Sequence, residues 1–433
     1  MSWSLARRKL LGCDDVAVYM KPQGGMTFAA GSLSWAGTQW VLVWLFARFA
    51  GGAEAVGQYS LVLAIATPIF VACHLGLRTV YLSLSETYRW STYLTLRLGG
   101  ILLGSLLVTL YFSFFVDVSV WLWGAVLLMK CADTYLDLGY AQMQRRGMLR
   151  QIGTLNLVNS SGTIALAILA LWLVESVAAA ILGSALVSWA LVVVVQRAMV
   201  LRPAGDRSAR TGYRRVLAAG VPTMISDSLA VVANYLPILL LARIADEAEV
   251  GVYTTAAFLL IFTHLSGSIL SGIWITSFRL TFEIEGSHVM LRQSHRMATA
   301  LIVIGLLAVP VVIAAGSPAL QWVFGPEFGM TYAELTLLAV AALPIMPTYV
   351  YTVSLNVLNR FAVQAWVWAL ACGFGSGVSV LVMQLGATPM TVALSLALGI
   401  SWGRSICVLL LVVTVPRRQS QEKGNLPEVR SLR

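Results

Sequence analysis

Long apolar runs, separated by short polar stretches, repeat along the whole chain. A helix of about 20 apolar residues is long enough to cross the hydrocarbon core of a bilayer. The runs have this length and do not alternate as barrel strands would, so the pattern predicts about twelve transmembrane helices. The predicted spans are 26–48, 56–79, 94–116, 118–142, 152–174, 176–197, 216–242, 250–278, 297–324, 331–357, 363–385 and 390–415.

The composition agrees with a membrane protein. Of the 433 residues, 58% are hydrophobic and 11% are charged, whereas soluble domains carry about 45–50% apolar and about 25% charged residues. A water-soluble enzyme is therefore excluded, and the predicted fold class is an all-α polytopic membrane protein. The sequence has no metal-ligand spacing, nucleophilic triad or glycine-rich phosphate loop, so we expect no enzymatic activity, no cofactor and no metal.

The basic residues concentrate on one side of the predicted membrane. With the N-terminus in the cytoplasm, 24 of the 29 lysines and arginines fall in cytoplasmic segments, whereas only Arg48 and Arg243 fall in outer loops. This asymmetry follows the positive-inside rule, so we expect a multi-pass protein with both termini in the cytoplasm. The net charge of +10 then reflects topology, and we expect no nucleic-acid partner.

The most polar internal stretch divides the chain near its middle. We predict a cytoplasmic N-terminal segment, an N-terminal six-helix bundle, a cytoplasmic linker, a C-terminal six-helix bundle and a cytoplasmic tail. Their boundaries are 1–25, 26–199, 200–215, 216–415 and 416–433. Several prolines fall inside the predicted helices and are candidate hinges: Pro68, Pro222, Pro237, Pro310, Pro344 and Pro347.

The two predicted bundles share a loop sequence. Residues 47–59 read ARFAGGAEAVGQY, and residues 242–253 read ARIADEAEVGVY, so they match with one gap. Each copy joins the first and second helix of its half on the outer side. Because each half has an even number of helices, the halves have the same orientation and are related by an axis along the membrane normal.

Four segments resemble one transporter family. They are the loop at 48–59, its copy at 243–253, the sequence FGPEF at 324–328 and the segment 142–150. Together they resemble the polysaccharide-transporter branch of the multidrug/oligosaccharidyl-lipid/polysaccharide exporter (MOP) superfamily, which contains the Wzx-like O-antigen and exopolysaccharide flippases. The resemblance implies a MATE-like fold, with two six-helix bundles in a V and alternating access by rocking of the halves.

The same resemblance implies a cargo and partners. The expected cargo is an isoprenoid-pyrophosphate-linked oligosaccharide, flipped across the inner membrane for O-antigen, capsule or exopolysaccharide synthesis. Because no ATP-binding motif is present, the expected energy source is an ion gradient or a substrate gradient. The expected partners are this polyprenyl-pyrophosphate-linked glycan, membrane lipid, and a glycan polymerase with its chain-length proteins. Two alternatives stay open: a multidrug or organic-cation antiporter of the same superfamily, and a membrane scaffold without transport.

The fourth predicted span carries the most informative polar residues. Its charged and aromatic residues recur at helical spacing and share one face: Trp123, Lys130, Asp133, Asp137 and Tyr140. An ionised side chain at membrane depth costs about 2.5–3.5 kcal/mol on insertion scales, so this face must meet protein or water. In one interpretation it lines a substrate cavity, where Lys130 attracts pyrophosphate, the acids bind substrate or protons, and the aromatic rings contact sugars. In the other, an internal Lys–Asp pair fixes the helix to its neighbours.

Two arginines also lie inside predicted helices. Arg404 is near the middle of the last span and needs an anion, which is either a protein acid or a lipid-linked phosphate. Arg97 lies nearer the cytoplasmic end, and we expect its side chain to extend to the headgroups.

Three polar residues of the two lead helices, which are the first predicted helix of each half, complete the candidate site. Gln39 and Asn234 occupy equivalent positions under the repeat alignment, and they either face the cleft between the halves or form interhelical hydrogen bonds. Asp227 is a candidate ligand of a coupling ion, together with Asp133 and Asp137.

Overall fold

The computed structural model describes residues 25–83, 88–200, 212–358, 360 and 363–424. Most of the predicted N-terminal segment, most of the linker and the end of the tail lie outside these residues. The described helices are α1 (Gly25–Phe49), α2 (Gly52–Cys73), α3 (Leu77–Ser83), α4 (Trp90–Phe115), α5 (Val120–Arg145), α6 (Leu149–Val174), α7 (Val177–Val200), α8 (Tyr213–Ile244), α9 (Glu247–Glu285), α10 (Ser287–Val323), α11 (Tyr332–Ala342), α12 (Ile345–Val357), α13 (Val363–Gln384) and α14 (Pro389–Gly424).

The described helices form twelve rods, because α2 with α3 and α11 with α12 each make one broken rod. This arrangement confirms the predicted all-α membrane fold class. Ten of the rods in the described ranges are long and apolar enough to cross a membrane. The other two are α1 and α5. The hydropathy of α5 is lowered by Lys130, Asp133 and Asp137, so this helix can lie in a bilayer only where protein or water covers its charged face.

The described rods break at two places, and only one of them coincides with a candidate proline hinge. Between α2 and α3, Leu75 and Gly76 adopt left-handed backbone with φ of 55° and 61°. Between α11 and α12, the break falls at Leu343 and Pro344. By contrast, α2, α8 and α10 run unbroken through four of the candidate prolines, which therefore do not interrupt their helices: Pro68, Pro222, Pro237 and Pro310.

The rods form two halves of six, which meet mainly through α2. In the first half α1 packs against α6, and α5 packs against α7. In the second half α13 packs against α14, and α9 packs against α12. Across the halves, α2 contacts both α8 and α9. Other faces expose large apolar side chains such as Leu102 of α4 and Leu307 of α10, as a lipid-facing surface requires.

The repeated loop sequence forms a symmetric crossing between α2 and α9. A Cβ atom on Gly57 would lie 1.8 Å from the carbonyl oxygen of Glu247, and a Cβ atom on Gly251 would lie 1.9 Å from that of Ala53. The two helices can approach this closely only because both positions are glycine. Gln58 adds a hydrogen bond from its Nε2 to Glu247 Oε2 at 2.6 Å. The two equivalent glycines of the repeat thus each contact the backbone of the other copy.

The end of the bundle that holds this crossing is the one that the charge asymmetry predicts to face outward, and we call it the outer end. The turn after α10 closes it further, because Phe324 and Phe328 pack into the core of the first half. Trp44 Nε1 and Arg48 Nε both donate to the carbonyl of Val323, at 3.0 Å and 2.8 Å. The loop motif and the FGPEF motif therefore meet in one interface between the halves.

The opposite end, which we call the inner end, joins the halves through the break in the second rod. A Cβ atom on Gly220 of α8 would lie 2.2 Å from the carbonyl oxygen of Leu75, and one on Gly76 would lie 2.7 Å from that of Gly220. The rod formed by α2 and α3 therefore touches the second half at both its outer and its inner end.

Candidate functional site

Asp137 is the centre of an ion-pair cluster inside the first half. Its Oδ1 accepts a hydrogen bond from Arg78 of α3 at 2.8 Å, and its Oδ2 accepts one from Arg97 of α4 at 2.9 Å. Arg78 also donates to Gln144 Oε1 at 3.2 Å. One carboxylate therefore joins three helices. Among the described residues, the ion pairs of this face within 4 Å are Arg–Asp pairs, and Lys130 interacts with the charge of Asp133 without forming such a pair.

The expectation that Arg97 extends to the headgroups is wrong. Its side chain is fully buried, and it lies seven residues, about 10 Å, along α4 from the first residue of that helix. The carboxylate of Asp137 offers a charge-assisted bond within the protein, so the side chain has no need to reach the interface. The Nε and NH1 groups of Arg97 have no hydrogen-bond partner among the described residues.

A cavity of about 270 Å³ lies beside this cluster, between α1, α5 and α6. Asp133, Asp137 and Tyr140 of α5 line it, opposite Trp35 of α1. Ser188 of α7 donates to Asp133 Oδ1 at 3.3 Å. Carboxylate, amide and hydroxyl oxygens are ligands that small hard cations prefer. The acids thus face a chamber with suitable donors, and their assignment as coupling-ion ligands stays a prediction.

The other predicted residues of α5 lie in different surroundings. Tyr140 lines the cavity, and its buried hydroxyl has no hydrogen-bond partner among the described residues. Lys130 is partly buried and lies one turn closer to the outer end than Asp133. The ring of Trp123 stacks on Phe112 of α4, with centroids 6.0 Å apart and planes 7° apart. Trp123 therefore lies in the α4–α5 interface and does not line this cavity, and its assignment to a sugar-binding wall stays a prediction.

Arg404 lies deep in the second half, where only 5% of its surface is exposed. Its guanidinium carbon is 4.2 Å from the ring centroid of Trp368 on α13 and 4.9 Å from that of Tyr349 on α12. His264 of α9 approaches the same tyrosine, with 3.4 Å from Nδ1 to the hydroxyl. Within the described part of the chain, no carboxylate pairs with Arg404, and its Nε and NH1 have no partner. The guanidinium is thus held by aromatic rings, while part of its hydrogen-bonding edge is unused.

The candidate residues of the lead helices are placed differently from one another. Gln39 of α1 accepts a hydrogen bond from the hydroxyl of Tyr59 at 3.3 Å, so it stabilises the α1–α2 contact. Asn234 and Asp227 are exposed and lie seven residues apart on α8, which puts them on one face. Asp227 is near enough to Asp137 for the two charges to interact. The structure does not join Gln39 and Asn234 in a shared contact.

Several residues of these clusters escaped the sequence analysis. Arg78 was not predicted as a site residue, although it pairs with Asp137. Trp368 and Tyr349 were not predicted either, although their rings lie against Arg404. The sequence offers one usable signal, which is that the carboxylates of α5 require cations nearby. It does not show which helix supplies them.

Comparison with known proteins gives one weak sequence relative. No protein-family model matches the chain. Over 311 residues the chain is 21% identical to the capsular polysaccharide biosynthesis protein CapF of Staphylococcus aureus. The match covers 68% of this chain and 76% of that protein.

Solved structures give a much more extensive similarity. An inward-facing structure of a MATE family multidrug resistance transporter of the MOP superfamily has a TM-score of 0.64 at 11% identity, covering 92% of this chain and 96% of its own. A mutant of the Vibrio cholerae MATE transporter VcmN has a TM-score of 0.62 at 14% identity, covering 91% and 95%. A MOP superfamily transporter from Pyrococcus furiosus, described as having a binding pocket of reverse polarity, has a TM-score of 0.57 at 11% identity, covering 92% and 95%.

These similarities define the class of the molecule by its fold. The chain is a multi-pass membrane protein with the fold of the MATE transporters of the MOP superfamily. The charged residues of the described interior differ between the halves, with Arg78, Asp133 and Asp137 at a cavity in the first and, in the second, Arg404 without a described carboxylate partner.

Proposed function

We propose that this protein is a flippase that carries an isoprenoid-pyrophosphate-linked oligosaccharide across a bacterial inner membrane by alternating access. Its fold, shared with MATE transporters, supports transport between two halves. The similarity to a protein named for capsular polysaccharide biosynthesis supports a glycan as cargo. The observation that carries the anionic part of the cargo is the buried guanidinium of Arg404, which has no carboxylate partner among the described residues.

The surroundings of Arg404 favour the binding of an anionic ligand. Removing a cation from water costs several kcal/mol, and cation–π contacts with desolvated rings return about 2 kcal/mol. The remaining penalty is relieved when an anion reaches the free Nε and NH1 groups. Pyrophosphate oxygens match the fork of a guanidinium and form strong charge-assisted bonds with it. The rings of Trp368 and Tyr349 hold the fork in place before the anion arrives.

The balance of interior charge favours this cargo over an organic cation. A pocket for cations is expected to carry an excess of acids. The surroundings of Asp137 and of Arg404, together with the exposed face of α8, contain four basic and three acidic described residues. They are Arg78, Arg97, Lys130, Arg404, Asp133, Asp137 and Asp227. The Pyrococcus furiosus neighbour, described as having a pocket of reverse polarity, indicates that this fold accommodates pockets of different charge.

The contacts between the halves fit one stage of an alternating-access cycle. The outer end is closed by the Gly57–Gly251 crossing and by Phe324 and Phe328. Release of cargo to the outer leaflet requires these contacts to separate. We propose that a coupling cation in the chamber at Asp133 and Asp137 favours one of the two arrangements.

Transport by reconstituted protein tests the proposal. Vesicles that contain the full chain and a labelled polyprenyl-pyrophosphate oligosaccharide report flipping as the rate at which the glycan becomes accessible to an added glycosidase. Losing charge-assisted bonds of about 1.5–3 kcal/mol predicts that Arg404→Gln lowers this rate about 10- to 150-fold. Arg404→Lys keeps the charge but loses the fork, so we expect an intermediate rate.

The matched control is Arg150→Gln, which removes one exposed arginine at the inner end of α6. We expect it to transport at the wild-type rate. Equal rates for Arg404→Gln and Arg150→Gln would overturn the role of Arg404. Export of organic cations by the wild type, with no glycan flipping, would favour the antiporter instead.

A further inference from the structure

A second basic site lies on the second half, away from Arg404. A groove of about 690 Å³ opens at the inner end between the first turns of α10 and the last turns of the apolar part of α14. Leu291 and Val412 form its buried apolar floor, and Arg292 and Arg296 are exposed at its rim. The groove therefore combines an apolar surface with two positive charges one helical turn apart.

The length of α10 places this rim at headgroup depth. The helix has 37 residues, which is about 56 Å at about 1.5 Å per residue, whereas a hydrocarbon core is about 30 Å thick. Its apolar run begins only near Met297, so the first ten residues extend beyond that run at the inner end. The corresponding helix of the first half, α4, has 26 residues and lacks this extension.

The charges of the rim are not used within the described part of the protein. No described carboxylate forms an ion pair with Arg292 or Arg296. The acids at the neighbouring end of α9 are Glu283, which pairs with Arg279 at 2.9 Å, and Glu285. The histidines on this side of α10 are His288 and His295, and the latter is oriented by a 3.0 Å hydrogen bond between its Nδ1 and the hydroxyl of Tyr351.

We propose that this groove binds an anionic glycerophospholipid of the inner leaflet. Its phosphate lies between Arg292 and Arg296, and one acyl chain lies along the exposed side chain of Val413. Basic pockets between transmembrane helices on the cytoplasmic side are suited to anionic headgroups, because that leaflet carries negative charge. The exposed apolar side chain of Val413 distinguishes the site from one for a soluble anion, which would gain nothing from covering it.

Native mass spectrometry of the purified full-length protein tests this site. The protein is released from micelles that contain equal amounts of phosphatidylglycerol and phosphatidylcholine, and the fraction that retains each lipid is measured. We expect the wild type to retain phosphatidylglycerol preferentially. The double variant Arg292→Gln/Arg296→Gln should retain at least fivefold less, whereas Arg292→Lys/Arg296→Lys should stay close to the wild type because the charge is kept.

The matched control is Arg150→Gln/Arg197→Gln, which removes two exposed arginines from the inner end of the first half. We expect it to retain the lipid, and the elution volume and melting temperature of each variant check that it is folded. Equal retention by the rim variant and the wild type would overturn the proposal, as would an equal loss in the control. Displacement of the lipid by millimolar inorganic phosphate would also overturn it, since the site would then be one for soluble anions.

Discussion

The glycine crossing at the outer end allows a quantitative test of how the two halves close. In Gly57→Ala, the new methyl group would lie 1.8 Å from the carbonyl oxygen of Glu247, whereas carbon and oxygen in contact lie more than 3 Å apart. The backbones of α2 and α9 would have to separate by more than 1 Å. Overpacking of this kind costs about 1–3 kcal/mol, which changes the ratio of closed to open molecules about 5- to 150-fold. Gly251→Ala should act equally, because its methyl group would lie 1.9 Å from the carbonyl of Ala53.

Pulsed electron paramagnetic resonance measures this ratio. Nitroxide labels are attached at Glu54→Cys on α2 and Arg243→Cys on α8, in a background from which the native cysteines have been replaced. We expect a short distance to dominate in the otherwise unchanged protein and a longer one in Gly57→Ala. The control is Gly99→Ala on α4, where no atom lies within 4 Å of the added methyl group. Identical distance distributions for Gly57→Ala and Gly99→Ala would refute the reasoning.

Two further outcomes follow from buried contacts in the first half. Asp137→Asn leaves the fully buried Arg97 without its carboxylate, so we expect the unfolding free energy to fall by about 3 kcal/mol, seen as a lower melting temperature in detergent. The control is Glu285→Gln, which removes an exposed carboxylate that forms no ion pair among the described residues, and an equal effect of both variants would contradict the cluster. Phe328→Ala removes a fully buried ring that crosses between the halves, a loss of about 3–5 kcal/mol, and should lengthen the distance between the labels. Trp322→Ala, which removes a ring that is 83% exposed, should leave that distance unchanged, and the role of the FGPEF motif is wrong if the two variants behave alike.

The sequence was most informative about features that depend on residues close to one another along the chain. The boundary near Asp117 between the third and fourth predicted spans corresponds to the gap between α4 and α5. The match between residues 47–59 and 242–253 led to the symmetric crossing, because glycines at equivalent positions have the same use in both halves. The break at Leu75 and Gly76 was not predicted, since the predicted span 56–79 runs through it.

The candidate site shows where such reasoning stops. The charged face of α5 could be read from helical spacing, but the helices that supply cations to its carboxylates could not. Asp137 meets Arg78 and Arg97, which are 59 and 40 residues away in the chain. Likewise, Arg404 clearly needed a partner, and nothing in its own helix indicated that the partners would be the rings of Trp368 and Tyr349.

The sequence by itself determined that this chain crosses a membrane many times, in two related halves, and that ionic groups lie within the spans. Hydrophobicity sums along a single helix, so each span can be recognised without knowledge of its neighbours. Only the tertiary structure decided which charges neutralise one another and which remain available, because those distances depend on how helices from distant parts of the chain pack together. That packing pairs Asp137 with two arginines and leaves the guanidinium of Arg404 without a described carboxylate partner.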